Sequence, residues 1–248
     1  MGEIVQWPET EADRGTASQN LNEQTYNSLR EDILSGRLPP GNRLPFAELT
    51  KRYAVGTGTL REALARLVSD NLVVGQGQKG LRVTPISREE LEDITALRCT
   101  LESSALRDSI EHGDDEWEAS IVAANHRLSK FYERFRDGPP LVRPEGSALH
   151  RAFHLVLFGA CRSRWQRRII EQLYDHSERY RRLSSIKQSQ QRDSAAEHRA
   201  IVEAVLARRA DEACDLLLNH IQRTTREIGD PEDTPADDGA GTRPQDSS

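Results

Sequence analysis

The feature that most limits what this chain can become is a change of texture near Pro85. Between Leu21 and Pro85 short amphipathic stretches alternate with connectors rich in proline and glycine. From Ser87 to about residue 228 the pattern is uniform, broken only at HGDDE, RDGPPLVRPEG, CRSRW and RRAD. Sustained 3.6-residue periodicity demands helices packed on helices, because a sheet needs period 2. The chain therefore divides into a small mixed unit, 21–85, and a larger all-helical unit, 86–228. In the second, helices are predicted over about 88–111, 115–136, 145–160, 163–186, 191–208 and 211–227, folded as an antiparallel bundle. The predicted fold class is mainly α.

Within the small unit, Tyr26, Leu29, Ile33 and Leu34 fall at helical spacing, and Gly36 is placed to end that helix. LPPGNRLP is a rigid connector in which Gly41 permits a turn. Phe46, Leu49 and Tyr53 mark a second short helix. TLREALARLVSDN marks a third, with Leu60, Leu64, Leu67 and Val68 on one stripe. Thr59 and Glu62 stand in capping-box relation at its start, and Asn71 is suited to the left-handed residue after its end. LVVGQGQKGLRVTP reads as two short strands around a glycine-rich tip. Three helices and a two-stranded ribbon make a winged helix-turn-helix.

The net charge of −6 argues at first against a nucleic-acid partner. Its distribution reverses that. Residues 1–20 carry a net −3 and residues 229–248 a net −5, which leaves 21–228 at +2. Both ends are poor in apolar residues and are expected as disordered tails. Within 21–85, nine basic residues face six acidic ones. No apolar run reaches the ~20 residues that cross a bilayer, and MGEIVQWPETEADRG has neither a basic leader nor an apolar core. Cys99, Cys161 and Cys214 are scattered and odd in number, which fits small core residues in a reducing compartment. The expectation is a cytoplasmic protein with no membrane partner.

The landmarks Gly36, Pro40-Gly41, Arg43-Leu44, Glu48-Leu49, Val55, Arg61-Glu62-Ala63-Leu64, Leu67, Leu72-Val73, Gly80 and Val83 span the small unit in order. Together they resemble the DNA-binding domain of the GntR family of bacterial transcription regulators. In the second unit, LEDITALRCTLESSAL, AFH, EHRAIVEAVLARRADEA and NHI resemble the all-helical effector-binding FCD domain of the FadR branch. The resemblance covers about residues 21–228 and implies a DNA-binding regulator, a dimer on a palindromic double-stranded operator.

A winged helix sets the first turn of its third helix in the major groove, with the wing beside it. Arg61 lies in that turn, off the apolar stripe, where a guanidinium can grip a guanine edge or a phosphate. Arg43, Lys51, Arg52, Lys79 and Arg82 are candidate phosphate contacts, joined by Thr57 and Thr59 at the helix start. The chain departs from the family where VSRTP is usual, reading Val55-Gly56-Thr57-Gly58-Thr59, and at Phe46-Ala47, where Glu-Arg is common. Two habitual base-reading arginines are thus missing, and an operator unlike the family's usual one is expected.

ALHRAFH holds His150 and His154 one helical turn apart. Spacing alone fits either a pair of metal ligands or two solvated side chains. Of the seven histidines, His112 ends a helix, while His126 and His176 sit among charged neighbours and are expected to face solvent. His198 and His220 lie on two successive helices around RRAD, with Asp211 expected as the N-cap of the second. The FCD resemblance implies that His154, His198 and His220 form a metal site, with His150, where an Asp or Asn is usual, either a fourth ligand or a contact to the effector. Imidazole ligands suit zinc first and nickel second. Four neutral ligands would leave the ion at +2, favouring an anionic effector such as a small organic acid. Arg98, with Arg179 as a second candidate, would hold the acid's other end.

The expected function is a transcription regulator, a repressor, controlled by that acid. A constitutive DNA-binding protein with a structural metal is the alternative. Catalysis is not expected, because Glu145 and Glu197 lie in no H-E-x-x-H motif.

Overall fold

The computed structural model describes residues 11–77, 80–135, 143–185 and 194–228. Lys79 and the predicted tail 229–248 lie outside the described residues. The first unit is built from α1 (Glu11–Leu34), α2 (Phe46–Tyr53), α3 (Thr57–Ser69) and an antiparallel ribbon of β1 (Val73–Gly75) and β2 (Leu81–Val83). Val73 pairs with Val83 and Gly75 with Leu81. Leu29, Ile33, Leu49, Leu60, Leu64, Leu67, Val73 and Val83 meet in one apolar core. The stripe read from TLREALARLVSDN is its centre, except that Val68 stays exposed.

Gly36, Gly41 and Asn71 adopt positive φ of 78°, 76° and 57°, as the turn chemistry requires. Three local expectations need correction. α1 begins at Glu11, inside the stretch expected as a disordered tail. Extending a helix already nucleated costs far less than starting one, so this polar stretch can continue it. Thr59 is no N-cap, because Gly56 enters extended and the Leu60 amide already bonds its carbonyl at 3.0 Å. Glu62 instead takes a bond from Asn22 Nδ2 at 2.6 Å. Asp211 lies inside the first turn of the last helix, whose N-cap is Arg209, and its carboxylate pairs with Arg107 at 2.7 Å.

The second unit comprises α4 (Arg88–His112), α5 (Asp115–Arg134), α6 (Pro144–Val156), α7 (Arg164–Ser185), α8 (Ser194–Leu206) and α9 (Ala210–Glu227). Ser87 and Asp114 cap α4 and α5 by accepting from the amides of Glu90 and Trp117. α4 packs on α7 and α9, α5 on α6 and α8, and α8 on α9. Their shared core includes Leu106, Trp117, Ile121, Phe153, Phe158, Ile201 and Leu217. Cys161 and Cys214 are buried and Cys99 is half-buried, all as free thiols. No described helix is long and apolar enough to cross a membrane.

Candidate functional site

α3 exposes Thr57 and Arg61 at its N-terminal end, with Thr59 partly covered. No side chain caps this end, so its amide donors face outward for an anion. Arg43 and Lys51 are exposed nearby in the connector and α2. Arg43 and Arg82 come together across a backbone bridge beside the wing. Arg52 is differently placed: it pairs with Asp32 at 2.9 Å, a carboxylate that also takes Arg37 and the Tyr53 hydroxyl, both at 2.6 Å. Arg66, the remaining arginine of α3, is held by Glu23 at 2.7 Å and stacks 3.9 Å from the Tyr26 ring centre.

The four histidines of the helical unit converge in its interior. His150 and His154 from α6, His198 from α8 and His220 from α9 are all buried. Each offers a nitrogen within 4.8 Å of the others. Phe153, between the α6 pair, turns into the core and packs against the His198 ring. His150 Nε2 and His154 Nε2 are 3.2 Å apart, close to the ~3.3 Å between two nitrogens on one tetrahedral ion with ~2.0–2.1 Å bonds.

The surroundings orient these rings. His220 Nδ1 lies 2.8 Å from Glu197 Oε2, so the carboxylate accepts the Nδ1 proton and leaves the Nε2 lone pair for the cluster. His150 Nδ1 lies 2.6 Å from the Tyr174 hydroxyl, which can play the same role. His154 Nδ1 is buried with no partner among the described residues. Desolvation holds His150 and His154 well below their usual 6.5, and the neighbouring imidazoles and Arg181 push the same way. Four buried imidazoles whose nitrogens converge on one point fit a divalent metal ion.

Arg98 is buried beside them, with Nε on Glu102 at 2.6 Å and Nη1 on the Ser177 hydroxyl at 2.7 Å. Arg179 is directed elsewhere, donating to the Thr84 carbonyl, and touches none of the four histidines among the described residues. Burial pulls it down to about 10, although the nearby Tyr180 and Glu90 push the other way. Sequence reasoning missed Arg181, a buried guanidinium paired with Glu178 and 3.1 Å from Ser147 Oγ. Tyr174 and Glu178 were missed too, and Glu197 was weighed only as a catalytic base. The i, i+3, i+4, i+7 spacing of Tyr174, Ser177, Glu178 and Arg181 was the available signal. His112 ends α4 and His126 is exposed, as expected. His176 is half-buried instead, with Nε2 at 2.9 Å from the Asp70 carbonyl.

Two family models match this chain: bacterial regulatory proteins of the gntR family over residues 21–83, and the FCD domain over residues 93–223. The chain belongs to the GntR family. It is a GntR-type transcription regulator with an FCD domain, and its relatives carry matching descriptions. An uncharacterized HTH-type transcriptional regulator BphR of Paraburkholderia xenovorans is 43% identical over 203 residues, 82% of this chain and 83% of that protein. The HTH-type transcriptional repressor GlaR of Escherichia coli is 36% identical over 200 residues, 79% and 90% of the two chains. Among solved structures, E. coli McbR/YncC shares the fold at a TM-score of 0.71 and 21% identity, covering 84% of this chain and 96% of that one. A GntR regulator from Rhodococcus sp. RHA1 shares it at 0.68, with 18% identity and the same coverages.

Proposed function

We propose that this GntR regulator is a repressor whose grip on its operator is set by a small carboxylate bound at a metal held by His150, His154, His198 and His220. The observation carrying this reading is that all four are buried, lie on three different helices and offer nitrogens within 4.8 Å. Zinc is the first choice and nickel the second, given an all-imidazole donor set. A bound divalent ion supplies a Lewis-acidic anchor for a carboxylate. Arg98 receives the acid's other end through Nη2, which no described residue occupies, and Arg181 adds positive potential next to it. The similarity to GlaR, described as a repressor, supports the sign of regulation.

On the DNA side, Arg61 reads a base edge while Thr57, Thr59, Arg43, Lys51, Arg52, Lys79 and Arg82 hold phosphates. Two copies on a palindrome double these contacts, and the exposed Leu97, Trp165 and Ile169 on the packed helices α4 and α7 supply apolar surface for pairing. Metal analysis of the purified protein, then thermal-shift screening with small hydroxy and keto acids, tests the reading. Bound zinc and an acid that both stabilises the protein and releases operator DNA are expected. Absence of metal, with no loss on His154→Ala, overturns it.

A further inference from the structure

α7 has two polar faces that serve different neighbours. Tyr174, Ser177, Glu178 and Arg181 point toward the histidine site, meeting His150, Arg98 and Ser147. Asp175, His176, Arg179 and Arg182 point toward the DNA-binding unit. Arg182 forks onto Glu31 at 2.7 and 3.1 Å, His176 reaches the Asp70 carbonyl, and Arg179 reaches that of Thr84. Contact is close enough that a Cβ on Gly36 would sit 2.7 Å from Leu183 Cδ2.

Asp175 does something its neighbours do not. Its Oδ2 pairs with Arg30 of α1, and its Oδ1 takes Arg151 Nε of α6 at 2.9 Å. Arg151 follows His150 directly on the histidine-bearing helix. One half-buried carboxylate thus ties the site helix to the first helix of the DNA-binding unit. The Arg182–Glu31 and His176–Asp70 contacts run from α7 to that unit without touching α6. We propose that Asp175 is the coupling residue, carrying the state of the histidine site to the DNA-binding unit through its shared hold on Arg151 and Arg30. The proposal rests on the metal-site reading above.

The physical basis is geometric. His150 and His154 already stand 3.2 Å apart, the spacing of two ligands on one tetrahedral ion, so a bound ion can draw α6 only as a whole toward His198 of α8 and His220 of α9, whose nitrogens lie within 4.8 Å. Drawing them together moves α6, and Arg151 moves with it. A partly desolvated carboxylate shared by two guanidiniums responds to the loss or gain of either.

Hydrogen exchange by mass spectrometry on the full chain, with zinc chloride as the probe and a chelator control, tests this. In the wild type zinc should slow exchange in α6 and α9 and alter it at least twofold in residues 27–34 of α1. Arg30→Gln should keep zinc affinity, by calorimetry, within twofold, keep the α6 and α9 response, and lose the α1 response. Arg182→Gln should raise basal α1 exchange but keep its zinc response, separating coupling from simple docking. Should Arg30→Gln fail to fold, Arg151→Gln breaks the bridge at its other end and should give the same result. An α1 response that survives the broken bridge overturns the proposal. Zinc uptake with no α1 change in the wild type overturns the coupling and leaves the site reading intact. No zinc uptake at all removes both.

Discussion

At the centre of the winged helix, Leu60, Leu64 and Leu67 have no exposure and are packed among Leu29, Ile33, Leu49 and Val83. At equal depth in the helical unit lie His154, His198, Glu102 and Arg179. Among the described residues of the DNA-binding unit the buried polar groups are few: Thr25, which bonds its own helix, and Asp32, which is ringed by Arg37, Arg52 and Tyr53. The difference is physical before it is functional. Burying a polar group costs free energy unless it is fully bonded. A unit that only has to hold a helix against DNA can keep a dry, apolar core and carry its chemistry outside. A unit that must sense a small polar ligand needs donors and charges inside, and offsets their cost with the apolar cluster around Phe153 and Leu217.

The sharpest way to break this contrast is in the apolar core. Leu64→Ala should destabilise the protein by about 2–5 kcal/mol in denaturant unfolding, while leaving zinc stoichiometry unchanged. Next is the exposed edge of the same unit. Arg61→Ala should cost operator binding about 1–3 kcal/mol, read by fluorescence anisotropy, and leave the melting temperature unmoved. Equal losses of stability and binding would mean that Arg61 supports the fold. In the helical unit, Glu197→Gln should weaken metal binding roughly 10- to 100-fold, because its carboxylate fixes the His220 tautomer. Calorimetry showing unchanged affinity would remove Glu197 from that role.

Acid should separate the two units as well. His150 and His154 are held below 6.5 by burial, so below that pH the unfolded chain takes up protons that the native state refuses. Their stabilising contribution is therefore complete above about pH 6.5 and lost as pH falls, by up to roughly 1.4 kcal/mol per pH unit for each group. Metal-free protein should show this slope between pH 7 and 5, and His154→Asn should flatten it. The smallest effect belongs to the exposed Arg66–Glu23 pair: Glu23→Gln should leave the denaturant midpoint essentially unchanged, because solvent screens an exposed pair.

Much of the winged helix was legible because its signals are local. Gly36, Gly41 and Asn71 have the backbone freedom their positions demand, and the Leu60–Leu64–Leu67 stripe needs no distant partner to be recognised. The capping box at Thr59 misled, since a matching residue pair says nothing about where the chain enters the helix. In the helical unit, the histidines were legible only with the family pattern beside them. Arg98 and Arg179 show why more was not: the two look equivalent in sequence, yet one faces the cluster and the other the Thr84 carbonyl.

The sequence by itself determined the change of texture near Pro85, the kind of element on each side of it, and the chemical character of the donor set, because periodicity, turn residues and side-chain type are written locally. Only the tertiary structure decided that four histidines from three helices share one buried point, that Tyr174 and Glu197 orient two of them, and that Asp175 links α6 to α1. Such contacts join residues up to 145 positions apart, as Arg30 and Asp175 are. They depend on helix rotation and depth, which no single stretch of chain encodes, because packing many helices at once sets them.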